Sequence, residues 1–137
     1  PECRQCSGQG AHLPSRLAKA SRAFGALQKP IFGCSGLSIK SKRLVYKAIV
    51  LPTLFYGAET WPIKARQMNR LNLFHRSCVR SILGVSRSDQ HSRHLNTADL
   101  AQRARLPEDI GALLREYRLR WLGHVARMDA ARIPQQV

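Results

Sequence analysis

The chain has 137 residues, 44% of them apolar and 23% charged, which is enough for one modest core but not for two independent ones. Twenty-three Lys and Arg against eight Asp and Glu give a formal net charge of +15, an imbalance that opposes compaction of the isolated chain and points to a polyanionic partner. No uninterrupted apolar run reaches the ~18 residues that a membrane-spanning helix requires, and Pro1-Glu2-Cys3-Arg4-Gln5-Cys6 lacks the apolar centre of a secretion signal.

The charge is unevenly spread. No acid occurs from Cys3 through Ala58 or from Trp61 through Ser88. Nucleic acid suits such segments best, because Lys and Arg contacts to phosphates gain affinity through counterion release; no membrane partner is expected. The chain begins with Pro rather than Met, which suggests a piece of a longer translation product. Four cysteines, at positions 3, 6, 34 and 78, are too sparse for a disulfide scaffold and fit reduced thiols in an intracellular compartment.

Residues 1–11 predict a loose lead-in. From Leu13 to Lys29, the residues Leu13, Leu17, Ala20, Phe24 and Leu27 recur at helical spacing, with Pro14 in the first turn. Pro30, Gly33 and Gly36 break that helix. Ser38 is a suitable N-cap for the next one, which enters the most apolar stretch of the chain, Leu44 to Trp61. This stretch is the expected central helix, with Leu44, Val45, Ala48 and Ile49 on one side, all-round burial after Val50 and a kink at Pro52. A β-hairpin is the weaker alternative.

Trp61-Pro62 ends the element. From Lys64 to Leu83 the face Met68, Leu71, His75, Cys78, Val79 and Ile82 predicts a helix, with Arg66, Arg70, Arg76 and Arg80 off that face and Gly84 closing it. Ser86 to His94 reads as an exposed loop. Thr97 opens a short helix. Pro107-Glu108-Asp109 starts the last one, faced by Ile110, Leu113, Leu114, Tyr117, Trp121, Val125 and Met128 and stopped by Pro134. The sum is an all-α chain of about five helices, grouped as 1–11, 12–61 and 62–137.

Catalytic chemistry finds little support. A two-metal phosphoryl-transfer site needs clustered carboxylates, and the one adjacent acid pair, Glu108-Asp109, is explained by a helix start. No Ser or Cys comes with an identifiable base and orienting acid. Cys3-x-x-Cys6 has zinc-ligand spacing, and His75-x-x-Cys78 or His12 would have to complete the set; helix packing of His75 and Cys78 is the simpler account. No catalytic residue, metal ligand or cofactor is therefore assigned. Tyr46, Tyr56, Trp61, Tyr117 and Trp121 read as core aromatics more readily than as base-stacking platforms. The candidate nucleic-acid contacts are Lys40, Lys42, Arg43, Lys47, Arg66, Arg70, Arg76, Arg80, Arg115 and Arg118.

Three runs carry a family resemblance: Leu37 to Lys40 with Leu44 to Trp61, Leu73-Phe74-His75-Arg76-Ser77-Cys78-Val79-Arg80-Ser81-Ile82-Leu83-Gly84, and Leu119-Arg120-Trp121-Leu122-Gly123-His124-Val125-Ala126-Arg127-Met128 followed by Arg132-Ile133-Pro134. In this order and spacing, with Ala20 to Leu27 before them, they resemble the region downstream of the polymerase core in non-LTR (LINE-type) retrotransposon endonuclease–reverse transcriptases. The resemblance covers roughly residues 15 to 137; Cys3 to Cys6 falls outside it. It implies a thumb-like helical bundle and post-thumb segment, not fully self-contained, that grips RNA, DNA or an RNA–DNA hybrid and packs on a palm domain missing from this chain. The implied parent is an RNA-directed DNA polymerase of the nucleus using a divalent metal, magnesium, at palm aspartates, so no catalytic residue transfers here. The alternatives are a purely structural packing piece for that palm, or a small zinc-binding nucleic-acid module.

Overall fold

Helical periodicity in the sequence becomes helix throughout a computed structural model that describes residues 12–128. The lead-in expected at 1–11, Cys3, Cys6, Arg132 and the stop at Pro134 lie outside the described residues. Among the described residues there is helix and no strand, as expected. Helix α1 (His12–Leu27) runs into a widened π turn, Gln28–Phe32; α2 (Ile39–Val45) continues through a second π turn, Tyr46–Val50, into α3 (Leu51–Phe55). A 3-10 turn at Ala58–Thr60 precedes α4 (Ala65–Leu83), α5 (Arg87–Ser92), α6 (Thr97–Ala104) and α7 (Ile110–Ala126).

Local signals account for most boundaries. The Ser38 hydroxyl accepts a hydrogen bond from the Ser41 amide (3.1 Å) and starts α2. Gly84 takes the left-handed conformation (φ 67°) that ends α4, with the Val85 amide reaching back to the Arg80 carbonyl at 2.9 Å. The segment expected as a loop after it is α5 instead. Ser86 and Asp89 form a reciprocal capping box: the Asp89 amide donates to Ser86 Oγ (3.0 Å) and the Ser86 amide to Asp89 Oδ2 (3.2 Å). The hydrogen bonds from Ser86 hold the Asp89 carboxyl below its ordinary pKa. Helix α6 begins at Thr97 with Asn96 as its flanking residue.

The two π turns each involve a proline, Pro30 inside the first and Pro52 two residues after the second. A proline lacks an amide proton and crowds the carbonyl one turn back, and a five-residue turn moves that carbonyl aside. Thr53 Oγ1 donates to the Ile49 carbonyl at 2.7 Å, satisfying an acceptor beside the gap. The interruption expected at Pro52 is thus absorbed one turn earlier as a widened turn.

That widening also changes which side of the helix is buried. Lys42, Tyr46, Val50 and Leu54, four apart, form one buried line, joined after the turn by Leu51 and Phe55, whereas the expected face of Leu44, Val45, Ala48 and Ile49 points largely outward. Leu44 is 55% exposed and Ile49 44%. A four-residue repeat on a regular helix drifts by about 40° per step; the π turn absorbs part of the drift and holds all four toward the core.

The core is shared between the Leu44–Trp61 run, which buries Tyr46, Val50, Leu51, Leu54, Phe55 and Ala58 largely against α1, and α4, which packs against α1, α2, α6 and α7. Leu71, His75, Cys78, Val79 and Ile82 supply its buried face, meeting Leu13 and Ala20 of α1, Leu100 and Ala104 of α6, and Ile110 and Leu114 of α7 in one cluster. Phe32 folds back onto Phe24 with ring centroids 4.4 Å apart, and Phe24 meets Tyr46 edge-on at 6.4 Å. Gln28 and Ser81 are hydrogen-bonded across the α1–α4 seam (3.1 Å). The expected face of α7 is buried only in its first half: Ile110, Leu113 and Leu114 are buried, Tyr117, Val125 and Met128 are half-buried and Trp121 is exposed, as are Leu119 and Leu122, which lie off that face.

One polar chain crosses this core. Pro107 O can only accept, so His75 Nε2 carries the proton and donates to it at 2.8 Å; His75 Nδ1 then accepts from the Tyr46 hydroxyl, also at 2.8 Å. Burial lowers the His75 pKa and raises that of Tyr46, so both are neutral near pH 7. Tyr46→Phe leaves Nδ1 unpaired and is expected to cost about 1–3 kcal/mol in a denaturant melt; a loss well below that range would show that the bond contributes little. Below the ordinary histidine pKa of 6.5, the unfolded chain binds a proton that the fold resists. Stability is therefore expected to be full above that pH and to fall as pH drops through it. A His75→Gln variant, followed by the same melts, should lose that part of the pH dependence.

Candidate nucleic-acid interface

Burial of one side of α4 determines what its other side carries. At 100° per residue, Arg66, Arg70, Leu73, Ser77 and Arg80 lie opposite Leu71, His75, Cys78 and Ile82, with Arg76 beside them. Arg66 and Arg70 are exposed, and Arg76 and Arg80 half-buried. From Arg66 to Arg80 this face extends about 21 Å along the helix. No acid shares α4. Among the described residues the ion pair formed is Arg120–Glu116 on α7 (2.9 Å), with both ends in solvent, so the arginines of α4 are left without carboxylate partners.

At its carboxyl end this face opens into a cleft of about 500 Å³ lined by Leu73, Arg76, Ser77, Arg80, Arg87 and Thr97. Helix α5, unforeseen in the sequence, brings Arg87 there; the serine–acid spacing of its capping box was the signal for it. The cleft is electrostatically unrelieved. Partial burial lowers the Arg80 pKa, and the neighbouring Arg87 charge lowers it further. Arg80 Nη1 reaches only Gln90 Oε1, at 3.4 Å, and Arg76 Nε is buried with no hydrogen-bond partner.

The other candidate contacts divide. Lys40, Lys47 and Arg115 are exposed, and Arg43 is half-buried. Lys47 and Arg120 stand at the rim of a separate cavity of about 190 Å³ between α3 and α7, floored by Leu51, Phe55, Leu113 and Tyr117. Lys42 is turned inward: it is buried, and its Nζ donates to the Phe32 carbonyl at 2.9 Å. This bond closes the last carbonyl of the first π turn, so Lys42 is not placed to meet a phosphate. Arg118 is committed in part, with Nε donating to Ala58 O (3.0 Å) and Nη2 to Trp61 O (2.7 Å).

Of the aromatics, Tyr46 is in the core and Trp61 and Tyr117 pack against it. Tyr56 does not follow the core reading: it is 64% exposed, with the Arg16 guanidinium 4.3 Å over its ring. Trp121 is also exposed.

The zinc alternative loses its helical half. His75 already uses both ring nitrogens within the core, and burial pushes the Cys78 thiol up to about 12, which keeps it protonated rather than a thiolate ligand. No group of three or more His, Cys, Asp or Glu gathers among the described residues, and no helix among them is long and apolar enough to cross a membrane. The adjacent acids Glu108 and Asp109 stand at the entry to α7, where the Ile110 amide is capped by Asn72 Oδ1 of α4 at 2.9 Å.

No protein-family model matches the chain, and no solved structure is similar to it. The chain is 30% identical over 130 residues to an uncharacterized transposon-derived protein of Caenorhabditis elegans. The match takes in 94% of this chain and 46% of the relative, so the chain spans about half the length of the protein it resembles. The similarity fits a transposon origin.

Proposed function

We propose that this chain is a non-catalytic segment of a retrotransposon's RNA-directed DNA polymerase, downstream of the polymerase core, that grips template–primer duplex or element RNA through its phosphates. The observation that carries this reading is the arginine face of α4, about 21 Å long by helical rise and without carboxylate partners. Regularly spaced guanidinium groups on a rigid helix suit the phosphate-and-shape recognition that A-form duplexes permit. The three ordered sequence runs support a LINE-type parent, and similarity to a transposon-derived protein supports the same origin. Polymerase chemistry, with its magnesium ions, belongs in this reading to a palm outside the chain, and the nucleus is its place of action.

The outward apolar side chains Leu44, Ile49, Leu119 and Leu122 favour a second role, packing against that palm. A packing-only segment would give a broad, uncooperative thermal transition alone, whereas a self-supporting binder gives a sharp one by circular dichroism.

Binding to an RNA–DNA hybrid, measured by filter retention, should weaken steeply as salt rises. A flat plot of log K against log salt would overturn the electrostatic mechanism. Arg66→Gln and Arg70→Gln should each reduce the salt slope by about one unit, leaving the melt unchanged. Lys42→Gln should do the reverse, lowering the melting temperature without changing the slope.

A further inference from the structure

We propose that the cleft between α4, α5 and the start of α6 is a socket for a single backbone phosphate of the bound nucleic acid, held by Arg76, Arg80 and Arg87. The inference rests on the nucleic-acid reading above and adds a defined site to it. An exposed arginine row binds phosphates diffusely, with each side chain solvated and free to move. The three guanidinium groups here differ in being gathered around one concavity from two helices. Arg76 and Arg80 are half-buried, and Arg87 comes from the first turn of α5.

The cleft leaves donor capacity unused: Arg80 makes one long hydrogen bond, from Nη1 to Gln90 Oε1 at 3.4 Å. Arg76 Nε is shielded from solvent without a partner, a costly state for a charged donor unless an anion completes it. Ser77 and Thr97 add hydroxyl groups to the wall. Thr97 is the first residue of α6, so the start of that helix, whose flanking Asn96 makes no side-chain cap, borders the cleft. No acid lines the outer cleft; Glu108 lines the inner cavity that adjoins it. Arginine suits this task because its planar fork donates two parallel bonds to phosphate oxygens. Two of the three, Arg76 and Arg80, are already partly desolvated before any phosphate arrives. A phosphate seated here would therefore set where the duplex lies along the arginine face of α4.

The test is a titration of the full chain, with arginine side chains labelled at nitrogen, by a short RNA–DNA hybrid. The Arg76 and Arg80 Nε–H resonances should shift downfield and saturate together with those of Arg66 and Arg70. Arg87→Gln, an exposed position, should leave the circular dichroism spectrum unchanged, weaken hybrid binding about tenfold at low salt and abolish the Arg76 shift. Movement of Arg66 and Arg70 with Arg76 still would overturn the socket and leave the nucleic-acid reading intact. No retention of hybrid and no shift anywhere would overturn both. Inorganic phosphate, added against chloride of equal ionic strength, separates the sources. If it moves Arg76 while the hybrid does not, the cleft takes a free anion and the backbone assignment is wrong.

Discussion

The hydrogen-bonded chain from Tyr46 through His75 to Pro107 is the constraint on which the rest of the arrangement depends. It joins the widened turn after α2, the middle of α4 and the entry to α7, three segments far apart in sequence. Tyr46 and His75 are polar and fully buried, so both must be satisfied at once. The proline carbonyl dictates the imidazole tautomer, and the tautomer dictates that the tyrosine donates. An apolar contact at the same place would tolerate rotation of α2; this chain does not, and it thereby determines which residues of α2 face inward.

The wide turn at Tyr46–Val50 is the matching backbone device. Without it, Pro52 would crowd the carbonyl one turn back, and a residue set spaced by four would spiral away from the core. With it, Lys42, Tyr46, Val50 and Leu54 form one inward line. Lys42 closes the Phe32 carbonyl at the end of the first π turn, so the two irregular turns support each other. Regular-helix reasoning puts Leu44 and Ile49 inside, and the structure leaves them out, available to a neighbouring surface.

The same packing organises the charge. A helix at the centre of a small bundle has one side to spare, and α4 fills it with arginines. Along most of their length these are isolated cations in water. At the carboxyl end α5 folds back and adds a third arginine to two that are already partly desolvated, which concentrates positive potential in one cleft. A row of solvated charges ending in a desolvated group would combine a salt-sensitive grip with a single fixed point.

Much of the fold was legible in the chain because its signals are local. Helical spacing placed the inner faces of α1 and α4, Ser38 and Gly84 marked ends, and the absence of clustered acids argued against phosphoryl chemistry within this segment. The Ser86 and Asp89 pair was equally local and would have revealed α5. The loss of acids over long stretches showed that arginines must face outward somewhere, and the periodicity of α4 showed where. Tertiary structure decided what periodicity cannot express. It set α4 beside the most apolar run in the core, because a helix that contacts four neighbours needs one well-defined apolar face more than high mean hydropathy. It rotated α2 through a non-standard turn, withdrew Lys42 and part of Arg118 into backbone contacts, and exposed Tyr56 and Trp121. It also brought Arg87 beside Arg76 and Arg80, since the convergence of side chains from separate helices depends on how those helices pack.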